Sequence, residues 1–377
     1  MVASRRQGPR GGVAFTVVVT VLTLVGAVAM ALVIALSGAP SVLLLATALA
    51  ALPVGPVVGC YLWLDRYEPE PRILLAAGLV WGAFVATAAA LVLQGVGGLL
   101  GGFDDMQRLG VVAPVTEEAT KGLFLVLLLW WRRDELDGVL DGIVYAGMVG
   151  VGFAFTENIL YLAAAYNGSD GVGPGGTEAL TGTFVVRCLF SPFAHPLFTA
   201  FTGIGVGLAV ASRTSLARWL LPLLGYAAAV LSHGTWNSAT LGGIDNFVAV
   251  YLTLMAPALV AVAAFALWRR RAEQRMLTAA LRDAAQRGLL PATDIPWLVE
   301  LAARRAAREH ARRLGGGPGE RAMRDYQQAA VELGFLHHRY LRGTPPPDFA
   351  ARGQQYVERL TAVRPYISFP GQVVPTR

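Results

Sequence analysis

Residues 113–131 read APVTEEATKGLFLVLLLWW. The stretch is apolar and close to the roughly 20 residues that a helix needs to cross a bilayer. Yet Glu117, Glu118 and Lys121 sit inside it. An ionised side chain at the centre of a span costs about 2.5–3.5 kcal/mol on insertion scales, while each leucine returns only about 0.3–0.6 kcal/mol. Such charges persist where they pair, bind an ion or line a wet cavity. Helical spacing supports pairing: Lys121 is four residues after Glu117 and three after Glu118, so it reaches either carboxylate. Adjacent glutamates point about 100° apart, so one can face a site while the other supports it.

The surrounding chain places this stretch in a membrane. Of the 377 residues 55% are hydrophobic and 15% charged, where a soluble protein carries roughly 25% charged. Apolar runs of spanning length occur at about 13–36, 42–64, 73–94, 109–131, 139–165, 183–211, 219–241 and 247–268. Backbone in lipid must satisfy its own hydrogen bonds, so all eight runs are expected to be helices. The first run, Val13 to Leu36, is 24 residues long. An export signal has an apolar core of about 7–15 residues, so this one reads as a retained signal anchor. The expected fold is an all-α polytopic membrane protein of about eight transmembrane helices.

Charge divides the chain. Residues 269–377 hold 19 of the 31 Lys+Arg and 10 of the 25 Asp+Glu, a net of +9, against −3 for residues 1–268. This predicts a membrane domain, 1–268, and a basic helical cytoplasmic tail, 269–377. Helical patches in the tail are joined by the breaker GGGPGE. The tail reads as a small bundle or a loosely ordered appendage whose arginines suit anionic headgroups. It carries no recognisable nucleic-acid motif, and none is expected to bind. Its histidines, His310, His337 and His338, read as solvated. Cys60 and Cys188 both lie in apolar runs and read as buried core residues.

Alternate connections carry the basic residues: Arg5, Arg6 and Arg10; Arg66 and Arg72; Arg132 and Arg133; Arg213 and Arg218; Arg269, Arg270, Arg271 and Arg275. The opposite set holds only Arg108. Basic flanks stay inside, so both termini are expected in the cytoplasm of a plasma-membrane protein. Trp63, Trp81, Trp130, Trp131, Trp219 and Trp268 read as an interfacial belt, Arg187 as a snorkelling anchor, and Asp137 and Asp141 as interfacial.

That topology puts the strong polar groups in one layer. Glu157 and Asn158 lie in span five, His195 between Pro192 and Pro196 in span six, and His233 and Asn237 in span seven. At about 1.5 Å per residue, these and the glutamate pair fall about 12–18 Å below the outer surface. Pro192 and Pro196 are expected to break span six. Gly147, Gly150, Gly152, Gly203, Gly205 and Gly207 let neighbouring helices approach closely.

Two imidazoles and a carboxylate form a zinc ligand set with a position left for water. The expected ligands are Glu157, His195 and His233. Glu118 or Glu117 serves as general base and later proton donor. Lys121 holds the other glutamate, and Asn237 bonds a substrate carbonyl or orients a ligand. The combination of EEATK, of FAFTEN with Phe153 four residues before Glu157, and of the later His195 and HGTWN resembles the PrsW family of bacterial intramembrane metalloproteases. That family is related to the CAAX prenyl protease and bacteriocin-processing superfamily. Glu157 stands where the wider superfamily has a histidine. The resemblance covers roughly residues 40–245. It implies proteolysis of membrane-associated proteins, including release of sigma factors from anti-sigma factors. It also carries the alternative known from the prenyl protease branch, a paired glutamate that activates water without a metal. Outside this family, a proton-coupled transporter would favour inverted repeats, which the sequence does not display. A noncatalytic scaffold acting through the tail would tolerate loss of Glu118.

Overall fold

The computed structural model describes residues 9–67, 69–168, 174–343 and 345–372. Arg5, Arg6 and the 169–173 part of the connection after span five lie outside the described residues. No strand occurs among the described residues. Among the described residues seven helices are long and apolar enough to cross a membrane: α1 Gly11–Leu36, α2 Pro40–Leu64, α3 Arg72–Leu99, α5 Val139–Asn167, α6 Gly176–Ala211, α7 Ser215–Leu241 and α8 Gly243–Gln286. Between α3 and α5 lies α4, Ala113–Trp131. It is the eighth rod of the sequence reading, and its three ionisable residues set its composition apart.

Local chemistry fixes the helix ends. Pro40 opens α2 at a position where its missing N–H is no loss. Pro53 then divides α2 into Pro40–Ala51 and Val54–Leu64. Asp141, expected at the interface, is buried instead and caps α5. Its Oδ2 accepts from the backbone N–H groups of Asp137 at 3.0 Å and Gly138 at 2.9 Å, donors that a helix start leaves open. Gly168, at φ 69°, ends α5 in the left-handed region that glycine enters freely.

The contacts divide the chain into two compact units, 1–65 with 70–266, and 66–69 with 267–377. In the first, α5 is the buried axis, with nearly every residue from Val139 to Ala154 inside. Its glycines let neighbours touch backbone to backbone. A Cβ on Gly152 would lie 1.8 Å from the Leu79 carbonyl oxygen of α3, and one on Gly150 would lie 2.7 Å from the Pro196 backbone of α6. Gly205 does the same against Leu221 of α7, with 2.4 Å to its carbonyl oxygen. We expect Gly152→Ala to force α3 and α5 apart and cost about 1–3 kcal/mol or more. Thermal unfolding in detergent checks this against Gly95→Ala, where an added Cβ meets nothing within 4 Å. Equal stability of the two variants would contradict the close packing.

Trp81 departs from the belt expected of it. It is fully buried in mid-α3 and its indole N–H donates to the Thr120 carbonyl at 3.1 Å. An indole packed this deep needs a partner, and the helix carrying the acids supplies it. Cys60 also differs from expectation: it is exposed on the apolar surface, whereas Cys188 is buried.

The second unit is a helical bundle with its own core. It contains α9 Ile295–Val299, α10 Leu301–Leu341 and α11 Phe349–Val363. The GGGPGE breaker acts as expected: Gly316, at φ 60° and ψ −149°, splits α10 into two helical arms. Leu277, Leu281, Leu298, Met323, Tyr326 and Phe369 form the core. Buried Asp294 ties it together, accepting from Arg364 Nε at 2.6 Å and Tyr326 OH at 2.6 Å. His337, expected in solvent, is buried and pairs with Asp283 through Nε2 at 2.5 Å. Removing one partner of a buried pair costs about 3–5 kcal/mol. Asp294→Ala should therefore unfold this unit at lower denaturant, read by far-UV circular dichroism. An unchanged midpoint would count against the clasp.

Candidate functional site

The charges of α4 are buried as a set: Glu118 and Lys121 are 0% exposed and Glu117 is 5% exposed. Lys121 Nζ lies 2.8 Å from Glu118 Oε1 and 3.5 Å from Glu117 Oε2. It also sits 3.8 Å from the centre of the Phe153 ring of α5, a cation–π contact. The two glutamates then diverge, as their angular offset requires. Glu118 is saturated by side chains: besides Lys121, His233 Nδ1 lies 3.0 Å from Oε1 and Thr199 Oγ1 donates to Oε2 at 3.0 Å. Glu117 faces the other way and lines a cavity of about 750 Å³. Gln94 of α3 donates to its Oε1 at 3.2 Å.

Helix α6 brings the first imidazole. It is helical through Phe184, widens into a π-helical turn at Val185–Phe190, breaks at 191–193 and resumes at Ala194. This is the interruption expected from Pro192 and Pro196. His195 opens the resumed segment. Its Nδ1 is 3.0 Å from Lys121 Nζ and its Nε2 is 2.7 Å from Glu157 Oε2. The same Glu157 oxygen takes the guanidinium of Arg187. One carboxylate of α5 thus clasps both halves of the broken helix, Arg187 before the break and His195 after it. Arg187 also donates through Nε to Asn158 Oδ1 at 2.8 Å and stacks on the Tyr161 ring at 3.9 Å.

The second imidazole, His233, comes from α7. It is 1% exposed and stacks on Phe198 with ring centres 4.7 Å apart. Its Nδ1 is fixed by Glu118, which turns Nε2 to within 3.7 Å of Glu117 Oε2. The His195 and His233 rings meet edge to face at 5.1 Å. Glu117, His195 and His233 each offer a ligand atom within 4.8 Å of the others, and all three are buried. A carboxylate that holds the far nitrogen of a histidine fixes its tautomer and leaves the near nitrogen for a ligand or proton. Three carboxylates face two fixed cations here, so the donor set suits a bound cation.

The structure therefore brings Glu117, Glu118, Lys121, Glu157, His195 and His233 into one cluster. Glu157 meets His195 and Arg187, whereas the three-residue group with metal-ligand spacing contains Glu117. Asn237 lines the same cavity, and its Nδ2 donates to the Leu109 carbonyl at 3.0 Å.

Sequence reasoning missed three members. Arg187, expected to snorkel, turns inward because the partly buried Glu157 needs a counter-charge. Thr199 and Gln94 drew no attention. Thr199 lies one helical turn beyond His195, and Gln94 is a lone amide in an apolar span, so both signals were present.

Comparison with known proteins agrees with the geometry. A family model described as PrsW family intramembrane metalloprotease matches residues 70–264. Protease PrsW of Geobacillus kaustophilus is 29% identical over 171 residues, covering 42% of this chain and 65% of the relative. Protease PrsW of Oceanobacillus iheyensis is 30% identical over 132 residues, 35% of this chain and 54% of the relative. Protease PrsW of Clostridioides difficile is 32% identical over 120 residues, 30% of this chain and 49% of the relative. The chain thus spans about half to two thirds of the length of these curated relatives. No solved structure matches it.

Proposed function

The chain belongs to the PrsW family of intramembrane metalloproteases, and on that premise we propose that it hydrolyses a peptide bond of a membrane-anchored protein. The observation that carries the reading is the buried meeting of Glu117, His195 and His233 within 4.8 Å, with Glu117 facing the cavity. The resemblance described above makes an anti-sigma factor the candidate substrate.

In this reading Glu117, His195 and His233 hold a zinc ion. A zinc ion held there would supply a water of lowered pKa and a Lewis acid for the scissile carbonyl. Glu157 takes the place of base rather than the ligand role first expected of it. It lines the cavity, takes the proton of the attacking water and returns it to the leaving amine. Glu118 holds His233 in the tautomer that presents Nε2, and Lys121 keeps the three carboxylates from repelling one another. Asn237 steers the substrate carbonyl from the cavity wall.

A second reading has its own observation. Lys121 Nζ donates to His195 Nδ1, which puts the ring proton on Nε2 toward Glu157. That tautomer offers no free nitrogen to a metal, and in it Glu117 activates water by itself. The site is proposed to face outward, with both termini cytoplasmic. Ser37, Gly38 and Asn167, from the connections poor in basic residues, also line the cavity.

The two readings part on one experiment. Purified protein is assayed for zinc and for cleavage of a membrane-anchored peptide, with and without chelator. The zinc reading expects close to one ion per chain, loss of cleavage with chelator and recovery on adding zinc. Full cleavage by chelated, zinc-free protein would leave only the metal-independent reading.

A further inference from the structure

The tail carries a second concentration of buried charge that the proposed chemistry does not use. Arg304 of α10 is 5% exposed, yet among the described residues it forms no ion pair. Its Nη1 donates to the Tyr67 carbonyl at 3.3 Å, and its Nε has no hydrogen-bond partner. A buried guanidinium with an unsatisfied donor is uncommon and calls for an explanation, an unseen ion being one. The groups nearest in charge add to the strain. Burial, then Arg308, push the Arg304 guanidinium down to about 10. Arg270 and Arg304 meet on one residue: Arg304 bonds the Tyr67 carbonyl, and the Arg270 guanidinium lies 5.4 Å from the Tyr67 ring centre. All belong to the same unit.

Sequence position says what anion is at hand. Arg66 and Tyr67 follow Leu64, the last residue of α2, by two and three positions. Arg270 follows the apolar run that ends at Trp268 by two. Residues so placed lie at the level where a bilayer displays its phosphates, and arginine forks match phosphate oxygens well.

We infer that the second unit holds an anion site, in which Arg270 and Arg304 beside Tyr67 take the phosphate of an anionic phospholipid. The lipid supplies the acceptor that the Arg304 Nε lacks. It would thereby tie the tail to membranes rich in such lipids.

The test uses the full chain in detergent, delipidated and then offered phosphatidylglycerol, phosphatidylcholine or inorganic phosphate, with bound lipid counted by native mass spectrometry. Wild type should retain phosphatidylglycerol over phosphatidylcholine. Arg304→Gln should retain it about tenfold less or worse, the loss of a charge-assisted hydrogen bond. Arg282→Gln, an exposed arginine of α8, should behave as wild type. Should Arg304→Gln fail to fold, Arg270→Gln carries the same expectation. Equal retention by wild type and the folded variants would overturn the site. Inorganic phosphate that displaces phosphatidylglycerol completely and stabilises the lipid-free chain as strongly would overturn the lipid as its source.

Discussion

Glu117→Gln is expected to lower peptide cleavage by about 10²-fold or more, through loss of a zinc ligand in the first reading and of the water-activating group, worth about 10²–10⁴-fold, in the second. The effect should fall on chemistry and not on folding. Glutamine keeps the shape of the side chain and can still take the hydrogen bond from Gln94. It removes a negative charge from a crowd of three carboxylates, which relieves repulsion. The variant should therefore unfold at about the wild-type temperature while losing turnover in a single-turnover assay. Activity within a few-fold of wild type would remove Glu117 from the chemistry in either reading.

Glu118→Ala is expected to damage the fold as well. This carboxylate satisfies Lys121, His233 and Thr199 at once, and all three are buried. Deleting it leaves the buried ammonium with only its longer 3.5 Å ion pair to Glu117, at a cost of up to about 3–5 kcal/mol. Pairing it with Lys121→Met should recover part of that stability, with a coupling of about 0.5–3 kcal/mol. The double variant would still cleave poorly, because His233 has lost the group that fixes its tautomer. Additive losses in the cycle would show that the two charges do not depend on each other.

The sequence made the helical membrane fold legible because lipid leaves few alternatives. Apolar runs near 20 residues that must satisfy their own backbone become helices. The cluster was legible for a related reason. A charge inside a span is costly enough that Glu117, Glu118, Lys121 and Glu157 each demanded a partner. Which partner each one takes was not legible. Glu157 was matched to His195 by depth, and that contact is present, but depth could not reveal that Arg187 bends in across the π-helical turn to share the same oxygen. Nor could helical angles say which of two adjacent glutamates faces the cavity, since a rotation of about 100° exchanges them. In the tail, Arg304 is one of many arginines on a helical patch. In the fold it is buried and bonds the carbonyl of Tyr67, far away in sequence.

The most direct trial of the central claim is product analysis. Wild-type and Glu117→Gln protein are each reconstituted in vesicles with membrane-anchored peptides, and the peptides are sequenced by mass spectrometry. The site described here predicts one new pair of termini, at a fixed bond near the outer face, formed by wild type and absent with Glu117→Gln. Peptides left intact by wild type, or cut alike by both proteins, would contradict it.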